Sequence, residues 1–189
     1  MRRATLASLA LVLLFMGCDS TNQNPFIVRI SSINGGSPLL ADVIGIDPTN
    51  GPYIPTESPE IEMTNSPYWT GSTVDPGAGW YDFELKRLVV HWERTDGGPT
   101  SGAGWAISDF DYTESIAVTV PFKGSVKFGT ILVPIGMKTQ EPFASLAVSG
   151  GAIRLTAHID FVGASTQNPA DEIHIPTSLG VSFANYADE

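Results

Sequence analysis

The stretch AIRLTAHIDFV, residues 152–162, decides the fold. Ile153, Leu155, Ala157, Ile159 and Phe161 fall on one side of an extended chain, and Arg154, Thr156, His158 and Asp160 fall on the other. Successive side chains of a strand point to opposite faces, so this alternation predicts a strand with one dry and one wet face. The segment EIHIPTSLGVSFA, 172–184, repeats the pattern. Ile173 and Ile175 share a face there, and so do Leu179, Val181 and Phe183 beyond Pro176. Half-wet strands pack as antiparallel sheets, dry face against dry face. The expected fold class is therefore all-β, a single antiparallel sandwich.

Working outward, apolar and β-branched runs at 26–33, 39–46, 60–64, 83–93, 115–122 and 126–137 raise the expected strand count to about 7–9. Turn-forming clusters separate them, among them NGGSP (34–38), DPTNGP (47–52), TDGGPTSG (95–102) and QNPAD (167–171). Outside the N-terminus no window sustains apolar residues at i, i+3, i+4 and i+7, so little helix is expected. Two connections, 65–80 and 95–113, are long for such a sandwich, and long loops commonly carry function. Residues 25–189 make one domain of a size that can bury about 70% of its unfolded surface without a disulfide.

Trp92 in a central strand beside Leu88 and Val90, the strand count and the long final hairpin resemble immunoglobulin-like and fibronectin type III-like sandwiches. The cysteine pair of antibody domains is missing. ERTDGG (93–98), AHIDFVG (157–163) and VSFANYAD (181–188) are similar to bacterial envelope lipoproteins with an immunoglobulin-like domain. This likeness implies a fold and an address rather than an activity.

The N-terminus points to the same address. Arg2 and Arg3 precede an apolar stretch, 4–16, that is short for a bilayer span of about 20 residues, and Gly17 and Cys18 follow it. Residues 1–17 therefore read as a helical signal peptide. LFMGC (14–18) resembles the lipobox of bacterial lipoproteins. That resemblance implies cleavage after Gly17, diacylglycerol on the Cys18 sulfur and often a third acyl chain such as palmitate on the new amino group. The competing reading is a secretory leader that happens to contain a cysteine. Cys18 is the chain's only cysteine, which counts against that reading and also excludes an internal disulfide. Residues 18–24, CDSTNQN, suit a flexible tether. Asp19 resembles the inner-membrane retention signal of enteric bacteria, a rule that differs between lineages, so the choice of membrane stays open.

The net charge is −10, and removing Arg2 and Arg3 from the 10 basic residues leaves 8 against 20 acidic ones. Such a field repels nucleic acid and anionic lipid head groups, which argues against both as partners. No G-x-S-x-G occurs and the sole thiol is committed to lipid, so nucleophilic catalysis is not expected and the chain reads as non-enzymatic. No Gly-rich phosphate loop opens a helix, so no nucleotide cofactor is expected.

Three groups of residues remain as binding candidates. His91, His158 and His174 fall on strands that would neighbour one another in an immunoglobulin-like order. Three imidazoles on a wet face, with Glu93 or Asp160 beside them, are candidate Zn²⁺ ligands, and the bland alternative is solvated histidine. Asp75, Asp82, Asp96, Asp109, Asp111, Asp171 and Glu172 lie in or beside loops. They are candidates for a structural Ca²⁺ site, against the alternative of carboxylates that start turns. Tyr68, Trp69, Trp80, Trp105 and Tyr112 lie in or near the long loops, where they would either grip a ligand or plug the ends of the sandwich. The expected role is that of a lipid-anchored envelope protein with a structural or protein-binding domain. The alternative is a carbohydrate-binding module that uses the loop Trp and Tyr residues.

Overall fold

The structure, a computed structural model, describes residues 25–47, 49–68 and 79–186. The expected signal peptide (1–17), Cys18, the expected tether (18–24), Trp69 and Asp75 lie outside the described residues. The strands are β1 (Phe26–Ile33), β2 (Leu39–Asp42), β3 (Gly45–Asp47), β4 (Gly51–Tyr53), β5 (Glu60–Pro67), β6 (Phe83–Arg94), β7 (Ser101–Gly102), β8 (Trp105–Ala106), β9 (Tyr112–Val120), β10 (Gly124–Gly129), β11 (Ala152–Ser165) and β12 (Glu172–Ala184). They form an all-β sandwich. One sheet runs β2-β12-β11-β6-β9 and faces a second, β1-β5-β10, while β3-β4 and β7-β8 are small hairpins.

The alternation in 152–162 and 172–184 is realised as expected. Ile153, Leu155, Ala157, Ile159 and Phe161 are buried against Leu179, Val181 and Phe183 of the neighbouring strand. On β6 the apolar parity changes midway, because Phe83 and Leu85 are odd and Leu88, Val90 and Trp92 are even, yet all five are buried. A bulge reconciles the two sets. Pairing with both β9 and β11 skips Lys86, so one extra residue shifts the phase and keeps each apolar side chain inward. Opposite the bulge stands Gly163, where a Cβ would collide with Glu84 O and with the Phe83 ring. Only a residue without a side chain lets the two strands approach this closely.

Three expectations need correction. The run 39–46 is two strands rather than one. β2 pairs in parallel with β12, because the chain crosses between sheets at the 3-10 turn Asn34–Gly36, and the chain then turns into the β3–β4 hairpin. The run 126–137 is a strand only to Gly129. Pro134 cannot extend a ladder, and the one-turn helix α1 (Ile135–Lys138) follows it. The loop 95–113 is not featureless, since it contains β7, β8 and a 3-10 turn at Ile107–Phe110. A second one-turn helix, α2 (Leu146–Ser149), precedes β11.

Each end of the sandwich has its own closure. At the end where the described chain begins, Tyr81 packs against Phe26 (centroids 6.3 Å apart) and Phe122 (5.4 Å). There the buried Asn65 of β5 donates to Tyr81 O (2.8 Å) and Val120 O (3.3 Å), which ties the two sheets together. At the far end Phe143 stacks between Phe183 (4.5 Å) and Phe110 (5.2 Å). Segments 42–59 and 130–150 cap this far end through Lys138. Its buried ammonium donates to Asp42 O (2.6 Å), Pro55 O (2.7 Å) and Glu57 Oε1 (2.9 Å), so all three of its protons are used.

The turn after β6 is held by Asp96, which accepts from Arg94 Nε (2.6 Å), Gly98 N (2.9 Å) and Arg154 N (3.0 Å). Chiefly through the Arg94 hydrogen bond, its pKa is held down to about 2. A carboxylate whose folded pKa is depressed contributes stability above its unfolded value of about 3.9, and that contribution is lost as the pH falls through about 2. Asp96→Asn is therefore expected to lower unfolding free energy by about 1 kcal/mol at pH 7 and by almost nothing near pH 2. Urea titrations at both pH values check this, and an equal loss at both would contradict it. Gly163→Ala is expected to cost about 2 kcal/mol or more, because backbone and a buried ring must move to admit one methyl group. A thermal midpoint unchanged in that variant would show that the two strands are not so close.

Candidate functional site

The outward face of the five-stranded sheet brings the three histidines onto adjacent strands, as the strand order requires. His91 on β6 stands directly opposite His158 on β11, and His174 on the next strand pairs with Val162. Each imidazole has its own carboxylate. His91 Nδ1 lies 3.0 Å from Asp111 Oδ2, His158 Nε2 lies 2.8 Å from Glu93 Oε2, and His174 Nδ1 lies 2.6 Å from Asp160 Oδ2. All three pairs are exposed, and the face also carries a two-pronged Arg87–Glu172 bridge with both contacts at 2.8 Å. Among the described residues no group of three or more His, Cys, Asp or Glu side chains is placed to hold a metal ion. The register puts the histidines side by side, but it distributes them as three separate pairs.

Four of the loop carboxylates proposed as Ca²⁺ ligands, Asp82, Asp96, Asp109 and Asp111, are used one by one to fix backbone. Asp109 Oδ2 accepts from Ala106 N (2.7 Å) and closes the 3-10 turn. Asp111 Oδ1 accepts from Trp92 N (2.8 Å) while its other oxygen meets His91. Asp82 Oδ1 accepts from Phe122 N (2.9 Å), and Glu172 is held by Arg87, which lowers its pKa. Short acidic side chains next to turns supply the acceptors that irregular backbone lacks.

The aromatic candidates do not form one platform. Trp105 and Tyr112 lie at the far end and are half-buried. The Tyr112 hydroxyl donates to Leu132 O (2.9 Å) and Ile131 O (3.1 Å), and burial pushes its pKa up. Tyr68 and Trp80 lie at the opposite end and stand 49% and 57% exposed. Plugging describes the first pair, and exposure describes the second.

The sequence reading missed the cap at the far end. Ile46, Tyr53, Ile131, Ile135 and Val148 are all exposed large apolar residues on the β3–β4 hairpin, the 131–135 segment and α2, with Val148 90% exposed. Isolated exposed apolar residues are common, but several on one cap make a patch of the kind that partners cover. Its signal in the sequence is Pro134, which ends any strand within ILVPIGM, where Ile131 and Ile135 are exposed while Leu132, Val133 and Met137 are buried. The same cap segments carry Asp42, Asp47, Glu57 and Glu141, of which Glu57 is paired with Lys138. Turn hydrogen bonds from Thr49 N and Asn50 N hold the Asp47 carboxyl below its ordinary pKa.

A shallow groove of about 390 Å³ also crosses the sheet over Leu40, Arg154, Thr156 and Gly180. It contains no imidazole, thiol or carboxylate, so it offers shape without acid–base chemistry. Compared with known proteins, the chain matches no protein-family model and no curated protein at a significant level.

Proposed function

We propose that the chain is a lipid-anchored protein of the bacterial cell envelope whose sandwich is a non-catalytic protein-binding module, presented on the Cys18 tether. The observation that carries this reading is the polarity of the molecule. The described chain enters at one end, beside Tyr68, and the apolar cap of Ile46, Tyr53, Ile131, Ile135 and Val148 lies at the other. The strand β11, with 14 residues, separates the two ends by about 45 Å. A tether at one end and an apolar, acid-rimmed surface at the other suit a partner that approaches from outside the membrane.

The chemistry of the cap defines the partner as a protein with its own apolar patch and a basic rim, since unlike charges steer encounter and apolar contact holds the complex. Glycan binding is the weaker reading. A sugar platform needs several aromatic faces together, and Trp105 and Tyr112 are half-buried at the end away from Trp80.

Two outcomes test the proposal. Cys18→Ser is expected to abolish acylation, seen as loss of the lipid mass from the mature protein, and to release the chain from the membrane fraction. Retention of lipid by this variant would remove the anchor. A photo-crosslinking residue at position 148 is expected to capture one envelope protein from intact cells, and Ile135→Asp is expected to reduce that capture at least about tenfold without changing the melting temperature. Equal capture from a probe at Ser178, on the sheet face, would contradict a role for the cap.

A further inference from the structure

Apart from the far-end cap and Leu40 on the edge strand β2, the exposed large apolar residues of the described chain are Tyr68 and Trp80. Both are fixed to the end of the sandwich where the chain enters. Tyr68 N donates to Pro25 O (2.8 Å), which places this ring beside the point where the tether joins the domain. Trp80 is held from the other side, because Thr166 Oγ1 donates to Gly79 O (2.6 Å) and Trp80 O (3.0 Å). The turn after β11 therefore sets its position. Lys123, in the β9–β10 turn at the same end, carries its ammonium 5.3 Å from the Phe122 ring centroid.

From these placements we infer that the Tyr68–Trp80 end of the sandwich rests on the surface of the membrane that carries the Cys18 lipid, with both aromatic rings in the headgroup layer. The inference rests on the anchor proposed above. Given that anchor, the seven steps from Cys18 to Pro25 span at most about 25 Å and on average about 15 Å. The domain thus samples the bilayer surface at a high effective concentration, and a weak contact is enough to orient it. Tyr and Trp are the side chains that settle at the membrane–water boundary, because each joins an apolar ring to a polar group.

Charge favours the same orientation. Among the described residues near the entry end, Lys86, Arg87 and Lys123 stand against Asp82, Glu84, Asp171 and Glu172. The far end has Asp42, Asp47, Glu57, Asp96, Asp109 and Glu141 against Arg94, Lys138 and Arg154, and Arg94 and Lys138 are each already paired with a carboxylate. An anionic bilayer therefore repels the far end more strongly than the entry end.

The test uses the full-length acylated protein in phosphatidylcholine–phosphatidylglycerol vesicles that contain lipids brominated close to the headgroup. Bromolipid is expected to quench tryptophan emission; in a Trp69→Phe background, Trp80→Phe is expected to remove most of the quenched component, whereas Trp105→Phe leaves it unchanged. A protein that is acylated and floats with the vesicles, but whose quenching is the same in Trp80→Phe, overturns the orientation and leaves the anchor standing. Quenching that disappears in Trp105→Phe instead would place the opposite end on the lipid and overturns it too. A mature protein with no acyl mass overturns the anchor reading, and this inference falls with it.

Discussion

The register between β6 and β11 is the constraint on which the rest of the structure depends. These two strands lie inside the five-stranded sheet, and their dry faces supply Phe83, Leu85, Leu88, Val90, Trp92, Leu155, Ile159 and Phe161 to the core. A slip of one residue would send that set into water. The bulge at Lys86 and the bare backbone at Gly163 fix the phase, because only this pairing satisfies the odd apolar positions and the even ones at once. The same register decides what the wet face presents. It sets His91 opposite His158 and brings Asp111, Glu93 and Asp160 within reach of one imidazole each. Core packing and surface chemistry are two readings of one alignment.

With the core so defined, the ends become the variable parts. The entry end is closed by Asn65 and the Phe26–Tyr81–Phe122 group, and the far end by the Phe110–Phe143–Phe183 stack and the Lys138 ammonium. Burying a lysine costs several kcal/mol of hydration unless every proton finds an acceptor, so Lys138 holds the cap segments only in the arrangement that supplies all three. A rigid cap is what a binding surface needs, since ordering it on contact would reduce affinity. This gives a physical reason for an irregular cap of turns and one-turn helices to keep exposed Ile135 and Val148 in fixed positions.

Much of the fold was legible in the sequence because the period of two in 152–162 and 172–184 leaves few alternatives. The spans 26–33 and 172–184 coincide with β1 and β12, and neighbouring strands for the three histidines follow from strand order alone. The parity change in FELKRLVVHW announces the bulge to a reader who counts positions. Other features were not legible, for physical reasons. The parallel β2–β12 pair depends on a crossing between sheets, which local propensity does not encode. The Lys138–Glu57 contact joins residues 81 positions apart, and nothing in either neighbourhood announces the other. The division of the aromatics between two ends is likewise tertiary, because Trp80 and Trp105 both follow Gly-rich turns and differ only in what lies beneath them.

With the proposed anchor, the molecule is polar along its strands, held at one end and presenting the other. Neutron reflectometry on the acylated protein in a supported bilayer measures this directly. An upright sandwich gives a protein layer about 45 Å thick, which follows from the length of β11. A layer about 25 Å thick, the width of five strands lying flat, would contradict the claim.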